Sequence, residues 1–310
     1  MTAQRSALPR RSAPPHRSVP PRGLGDSRLL PYLLILPSLA FYVAFVIVPI
    51  IMTLSLSMFR WDGLTQPVFV ELANFRKVLG DPNARGTFLT ALWFVGLQGI
   101  LPVLMGLLLT VAMTRTRIRG MSFFRLVFFI PYTLALAVVA IAWRWLLALD
   151  GSVNQVVGSV LGDDARNAWL GDFFWAMPSL GVMGAWVNFG FVLVLLLAGA
   201  QRIPRDLYDQ ARVDGAGAWR EFVSVTLPGL RYELAVALTM TVIFALRMFD
   251  LPLMTTRGGP GYATTTPSLS MYWSVFLNGE VGIGSAFAVL LTIVILIAVA
   301  AINRVFRESR

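Results

Sequence analysis

Residues 201–231, QRIPRDLYDQARVDGAGAWREFVSVTLPGLR, form the one long polar, element-forming segment between two hydrophobic spans. Pro204 suits the first turn of a helix, where its missing N–H is not needed, and Asp206 and Asp209 favour the positive end of that helix. Leu207, Tyr208 and Ala211 recur at helical spacing. Gly215, Ala216 and Gly217 then stop the helix, because glycine reaches a left-handed C-cap at little cost. A second amphipathic stretch carries Trp219, Phe222, Val223 and Val225 until Pro228 ends it. The expectation is a helix–turn–helix knob with an apolar stripe exposed between two spans. Its residues alone admit a loop refolded on lipid headgroups, a DNA-reading element, or a coupling element for a soluble partner protein. Arg202, Arg205, Arg212, Arg220 and Arg231 suit nucleic acid, but short tethers to membrane on both sides argue against it.

The chain around this knob is a membrane protein by composition. Of 310 residues, 56% are hydrophobic and only 14% charged, too few polar groups to cover a soluble domain of this size. Cysteine is absent, so disulfides and thiolate metal sites are excluded. The one histidine, His16, lies in a Pro/Arg/Ser tail, so histidine-based catalysis and histidine metal clusters are excluded too. No GxxxxGK[ST] loop occurs, so any ATP must be bound by another chain.

Six apolar runs are each about 20 residues or longer: 29–56, 88–113, 123–149, 173–200, 234–253 and 283–302. The first contains Pro37 and Pro49, so it is expected to tilt or kink. Residues 1–28 are rich in Arg, Pro and Ser and are expected to be a disordered basic tail, with a second short tail at 305–310. Basic residues crowd one set of connections: Arg5, Arg10, Arg11, Arg17, Arg22 and Arg28 in the tail, Arg115, Arg117, Arg119 and Arg125 around the second loop, the five of the knob, and Arg304, Arg307 and Arg310 at the end. The third loop has only Arg166 against Asp150, Asp163, Asp164 and Asp172, and the fifth only Arg257. The first loop, with Arg60, Arg76, Lys77 and Arg85, is the weakest fit. The net charge of +10 thus records orientation, with both termini and the knob expected in the cytoplasm.

Ionisable and polar groups inside the spans are candidate functional positions, since they cost a few kcal/mol there. Arg247 and Asp250 are three apart in the fifth span and on a helix would share a face and neutralise each other; a structural pair and a substrate-facing pair both remain open. Asn188 and Phe191 in the fourth span offer an amide beside aromatic faces, as a sugar site would. Equally, Asn188 could bond a neighbouring helix and Gly190 let that helix come close. Arg144, between Trp143 and Trp145, is explained by snorkelling.

One family matches the knob's spacing throughout. Asp209-Gln210-Ala211, three residues, Gly215, nine residues and Val225-Thr226-Leu227-Pro228 resemble the cytoplasmic coupling loop of bacterial binding-protein-dependent ABC importers. That loop reads Glu-Ala-Ala, three residues, Gly, nine residues, Ile-x-Leu-Pro, so Asp, Gln and Val are departures here. Thr256-Arg257-Gly258-Gly259-Pro260 is similar to the TxGGP stretch after the fifth span of the sugar-type permeases, and 197–204 to their lead into the coupling loop. The resemblance covers about 29–304 and is nearest the maltose-permease-like half of the usual pair.

The resemblance implies an all-α polytopic protein of six transmembrane helices with the type I ABC importer permease fold, in the bacterial cytoplasmic membrane. It implies coupling to separate ABC ATPase subunits through Tyr208, Asp209, Gln210, Ala211, Asp214, Gly215, Ala216, Leu227 and Pro228. It further implies a second related permease as heterodimer partner, an extracytoplasmic solute-binding protein, a sugar-like substrate moved by alternating access, and no cofactor, metal or nucleic acid. Family ligand contacts would fall near Asn188, Phe191, Thr241 and Met248. The rival is a secondary transporter driven by an ion gradient, which would want inverted repeats or several intramembrane carboxylates. Asp250 is the one clear candidate carboxylate, and no convincing repeat is seen. A membrane enzyme lacks a nucleophile–base pair or a metal cluster.

Overall fold

The computed structural model describes residues 30–115 and 120–307. The tail 1–28 and Arg117 and Arg119 lie outside the described residues. The chain divides into two units, residues 1–50 and 51–310. The first ends within a long apolar helix that runs through Leu30–Tyr42, a π segment Val43–Ile47 and Val48–Leu56.

Within the second unit, the second span begins at Pro82, where Asp81 Oδ1 accepts from the Asn83 N–H at 2.9 Å and caps the helix. It continues through Pro82–Phe94, a π segment Val95–Ile100 and Leu101–Arg115. The fourth span, Ala176–Ala200, is the most enclosed and buries Leu180, Met183, Val187, Leu193 and Leu196. The sixth runs as one helix over Val281–Arg307, so the expected tail at 305–310 is helical through Arg307.

Two spans are not single helices. The third is a pair of helices, Phe123–Thr133 and Leu136–Leu146, bent by 98°. Leu134 and Ala135 are extended, just after Pro131, whose ring removes a helical N–H. Neither piece alone reaches across a hydrocarbon core of about 30 Å at 1.5 Å per residue; taken together as one broken span, they bring the candidate crossings among the described residues from five to six. The fifth span also breaks: Arg231–Leu246 ends, residues 247–249 are irregular, and Asp250–Thr255 resumes.

Proline explains most of the π segments. Among the described residues, Val43–Ile47, Val95–Ile100 and Phe222–Thr226 each end two residues before a proline, Pro49, Pro102 and Pro228, while Trp273–Leu277 does not. A proline inside an α-helix clashes with the carbonyl four residues back; one widened turn relieves the clash without ending the helix. Pro49 thus leaves its helix continuous through Leu56, while the knob helix that holds Pro228 ends one residue after it, at Gly229, as expected.

The connection after the first span is a small anchored hairpin. Strands β1 (Phe59–Arg60) and β2 (Val68–Phe69) pair antiparallel with Phe59 opposite Phe69, and buried Asn74 donates to the carbonyls of Ser57 and Phe59, each at 2.9 Å. Its turn is held by Asp62, whose Oδ1 accepts from the Thr65 N–H, the Leu64 N–H and the Thr65 hydroxyl at 2.7–2.9 Å. These donors favour the charged form and hold the carboxyl at about 2 instead of 3.8. Because the folded value is the lower one, the carboxylate's support of the turn is complete above about pH 4 and lost as pH falls through about 2. Hydrogen exchange at the Leu64 and Thr65 amides, corrected for intrinsic rate, should show protection at pH 4 that disappears near pH 2.

Candidate functional site

The knob consists of Arg205–Val213, a turn at 214–217, and Ala218–Glu221 followed by the π segment Phe222–Thr226 and Leu227–Gly229. Gly215 closes the first helix with φ +74°. Its N–H donates to the Arg212 carbonyl at 3.0 Å, and the Ala216 N–H donates to the Ala211 carbonyl at 2.9 Å, a left-handed C-cap. The stripe divides by depth. Ile203, Phe222 and Leu227 root the knob against buried Val103, Leu107, Val192, Leu196 and Leu230 of the second and fourth spans and the start of the fifth. Val213 and Trp219 stand out at 87% and 75% exposure, and the Trp219 ring lies on Phe222 with centroids 5.5 Å apart. Asp206, Asp209, Gln210, Val213 and Asp214 line a shallow acidic recess beside them. Tyr208 faces inward, its hydroxyl 3.3 Å from Thr226 Oγ1, while Asp209, Gln210, Asp214 and Pro228 are exposed and Ala211 and Ala216 half-buried.

Two carboxylates hold this shape. Glu221, mostly buried, accepts from Arg212 Nε at 3.4 Å, and Arg212 Nη1 also reaches Asp209 at 3.5 Å, linking the two knob helices. At the neck Arg202 donates to Glu233, joining the end of the fourth span to the start of the fifth. The Glu233 side chain is 8% exposed and that of Arg202 75%, so solvent screens the pair and its worth is near 1 kcal/mol. Glu233→Ala should therefore leave insertion intact but loosen the knob. Limited trypsin cleavage at Arg205, Arg212 or Arg220 should become several-fold faster.

A second polar group lies among the spans. Asn188, buried, donates to the carbonyl of Gln98 at 3.3 Å, and Thr241, also buried, donates to that of Gly99 at 2.9 Å. Both carbonyls belong to the widened turn before Pro102, whose missing N–H leaves an acceptor for neighbours to take. Gln98 itself is fully buried, with Nε2 donating to the Leu180 carbonyl at 2.9 Å and Oε1 without a partner. The arrangement ties the second span to the fourth and the fifth. Met248 is buried beside Val187, with its carbonyl accepting from Thr266 at 2.7 Å.

The other three positions reach the surface. Phe191 is half-buried and stacks on Tyr132, centroids 5.1 Å apart at 18°, next to the bend of the third span. Arg247 is exposed and Asp250 half-buried. The expected shared helix face does not form, because the helix breaks between them, and no ion pair joins them among the described residues.

A family profile described as binding-protein-dependent transport system inner membrane component matches residues 98–309, which include the knob and both polar groups. The chain belongs to that family. This permease is 35% identical over 275 residues to the trehalose/maltose transport system permease protein MalF of Thermococcus litoralis, covering 86% of this chain and 90% of the relative. It is 31% identical to the probable ABC transporter permease protein YurN of Bacillus subtilis, covering 89% and 94%. It is 32% identical to the sulfoquinovosyl glycerol transport system permease protein SmoG of Agrobacterium fabrum, covering 92% of each. A chain of a bacterial ABC transporter that imports the acidic polysaccharide alginate shares the fold, with TM-score 0.74 and 22% identity over 90% of this chain and 96% of that one. The permease is thus a multi-pass inner-membrane transport subunit, and ATP hydrolysis belongs to a separate subunit.

Sequence reasoning missed Glu221 and Glu233 because each is paired with an arginine distant in sequence. Gln98 carried a legible signal, a lone amide between Gly96 and Gly99 in an apolar run closed by Pro102.

Proposed function

We propose that this permease is one half of a heterodimeric importer that moves a sugar or sugar-like solute inward by alternating access, driven by ATPase subunits that dock on residues 201–231. The carrying observation is the knob itself. An exposed Trp219, Val213 and acidic recess sit on a root packed into the second and fourth spans, so a push on the outside is transmitted to the bundle. Both termini then lie in the cytoplasm, as the arginine distribution requires. Transport of trehalose and maltose or of sulfoquinovosyl glycerol by relatives supports a carbohydrate-like substrate.

In this reading the ligand meets Phe191 and its stacked neighbour Tyr132, with Arg247 and Asp250 supplying hydrogen bonds to hydroxyls. Asn188, Thr241 and Met248 set the positions of the spans that carry them. Purification from native membranes in mild detergent tests the assembly. An ATPase, a second six-span chain and ATP-dependent uptake in proteoliposomes are expected. Recovery as a homodimer with uptake driven by an ion gradient would favour secondary transport instead.

A further inference from the structure

The connector between the third and fourth spans carries an apolar surface that the transport reading leaves unused. A helix over Ser152–Leu161 is clamped in place by Asn154, which is fully buried and makes four hydrogen bonds. Its Oδ1 accepts from the Asn167 N–H and Trp169 Nε1, and its Nδ2 donates to the carbonyls of Ala148 and Asn167, all at 2.9–3.0 Å. So fixed, the helix presents Val156, Val160 and Leu161 outward. Trp145 and Leu149 precede it, Phe173 and Phe174 follow it, and all seven are between 61% and 74% exposed. Trp145 lies in the third span, and Phe173 and Phe174 stand two or three residues before the fourth begins at Ala176. The exposed apolar residues therefore run along the chain from the end of the third span to the start of the fourth.

Beside it, Trp143, Val153, Trp169, Trp175, Pro178 and Val182 line an apolar crevice of about 180 Å³. Its polar atoms are few: Ser179 donates to the Trp169 carbonyl and the Trp169 indole N–H to Asn154, which leaves the indole N–H groups of Trp143 and Trp175 on the lining. A sugar, with many hydroxyls, would find too few hydrogen-bonding partners there; a hydrocarbon chain needs none.

We propose that this connector is a lipid-seated element: the helix lies in the membrane interface with Val156, Val160, Leu161, Phe173 and Phe174 immersed, and the crevice opens to lipid acyl chains. Branched aliphatic side chains on a helix bordered by spans, with aromatic side chains in the turn before the next span, have the character of interfacial segments. Because this connector holds no lysine and only Arg166 against Asp150, Asp163, Asp164 and Asp172, the seating is apolar and gains nothing from anionic headgroups. The proposal needs only the membrane location and not the importer reading.

The absence of cysteine makes the test direct. Val160→Cys and, as the polar-face control, Ser159→Cys would each carry a nitroxide label on the purified complex in phosphatidylcholine nanodiscs. Collision with molecular oxygen and with a water-soluble nickel chelate gives depth. The label at 160 is expected to show a several-fold higher oxygen-to-nickel ratio than the label at 159, with no increase when phosphatidylglycerol is added. Equal ratios at the two positions would overturn the proposal and place the strip in water. Shielding of position 160 from both reagents would also overturn it, in favour of a protein partner. Variants at Leu161 and Gln155 repeat the comparison if either label disturbs the helix. Uptake assays on the same samples would report separately on the importer reading.

Discussion

Gly190→Val is expected to abolish recovery of folded protein. A Cβ at position 190 would meet the Phe128 carbonyl oxygen at 1.8 Å and the Phe129 Cα at 2.9 Å. Both are helix backbone of the third span, which cannot rotate aside as a side chain could. Overpacking usually costs about 1–3 kcal/mol where side chains can adjust; here the two spans must separate, so more than about 3 kcal/mol is expected. Within the bilayer, close packing is a main source of helix association, so the contact has no hydrophobic substitute. Gly86→Ala is the matched control, with nothing within 4 Å of its added methyl, and should be neutral or stabilise by under about 1 kcal/mol. Size-exclusion yield and unfolding temperature in detergent measure both. A Gly190→Val protein with normal yield and stability would mean that the third and fourth spans do not approach as described.

A graded loss of ATP-driven uptake is expected from Gly215→Asn, Gly215→Asp and Gly215→Pro, with membrane insertion constant throughout. The site is open, with nothing within 4 Å of an added Cβ, so backbone conformation alone decides the outcome. At φ +74° asparagine and aspartate are the L-residues best able to follow, at up to about 1–2 kcal/mol. Proline is held near −65° and also deletes the hydrogen bond to Arg212. The backbone conformation therefore separates aspartate from proline at this position. Asparagine should retain most transport, aspartate less, and proline almost none. Normal uptake by the proline variant would remove the knob from the coupling route.

The spans were legible because apolar runs of this length have few other uses, and the knob because polar helical spacing lay between two of them. What could not be read was set by contacts between distant segments. The break at 247–249 has a proline behind it, Pro252, which supplies no N–H to the Met248 carbonyl four residues back; that carbonyl instead accepts from Thr266, eighteen residues on, a partner the sequence does not reveal. The third span reads as one apolar run, and its 98° bend after Pro131 was not foreseen. Asn188 looked like a ligand group because an amide in an apolar helix is conspicuous, and Thr241 through the family resemblance alone. Their bonds to Gln98 and Gly99 depend on a widened turn that only Pro102 hinted at.

The neck pair of Arg202 and Glu233 can also be viewed as a chain closure. It fastens residues 31 apart in sequence, so the segment between them is a closed loop with its ends fixed by the membrane. The entropy of closing such a loop grows only with the logarithm of its length, about 0.6 kcal/mol for each doubling. Insertions at the exposed turn of residues 214–217 would therefore cost the bundle little. The surface offered to a partner can then be lengthened or exchanged over evolutionary time while the crossing helices stay as they are.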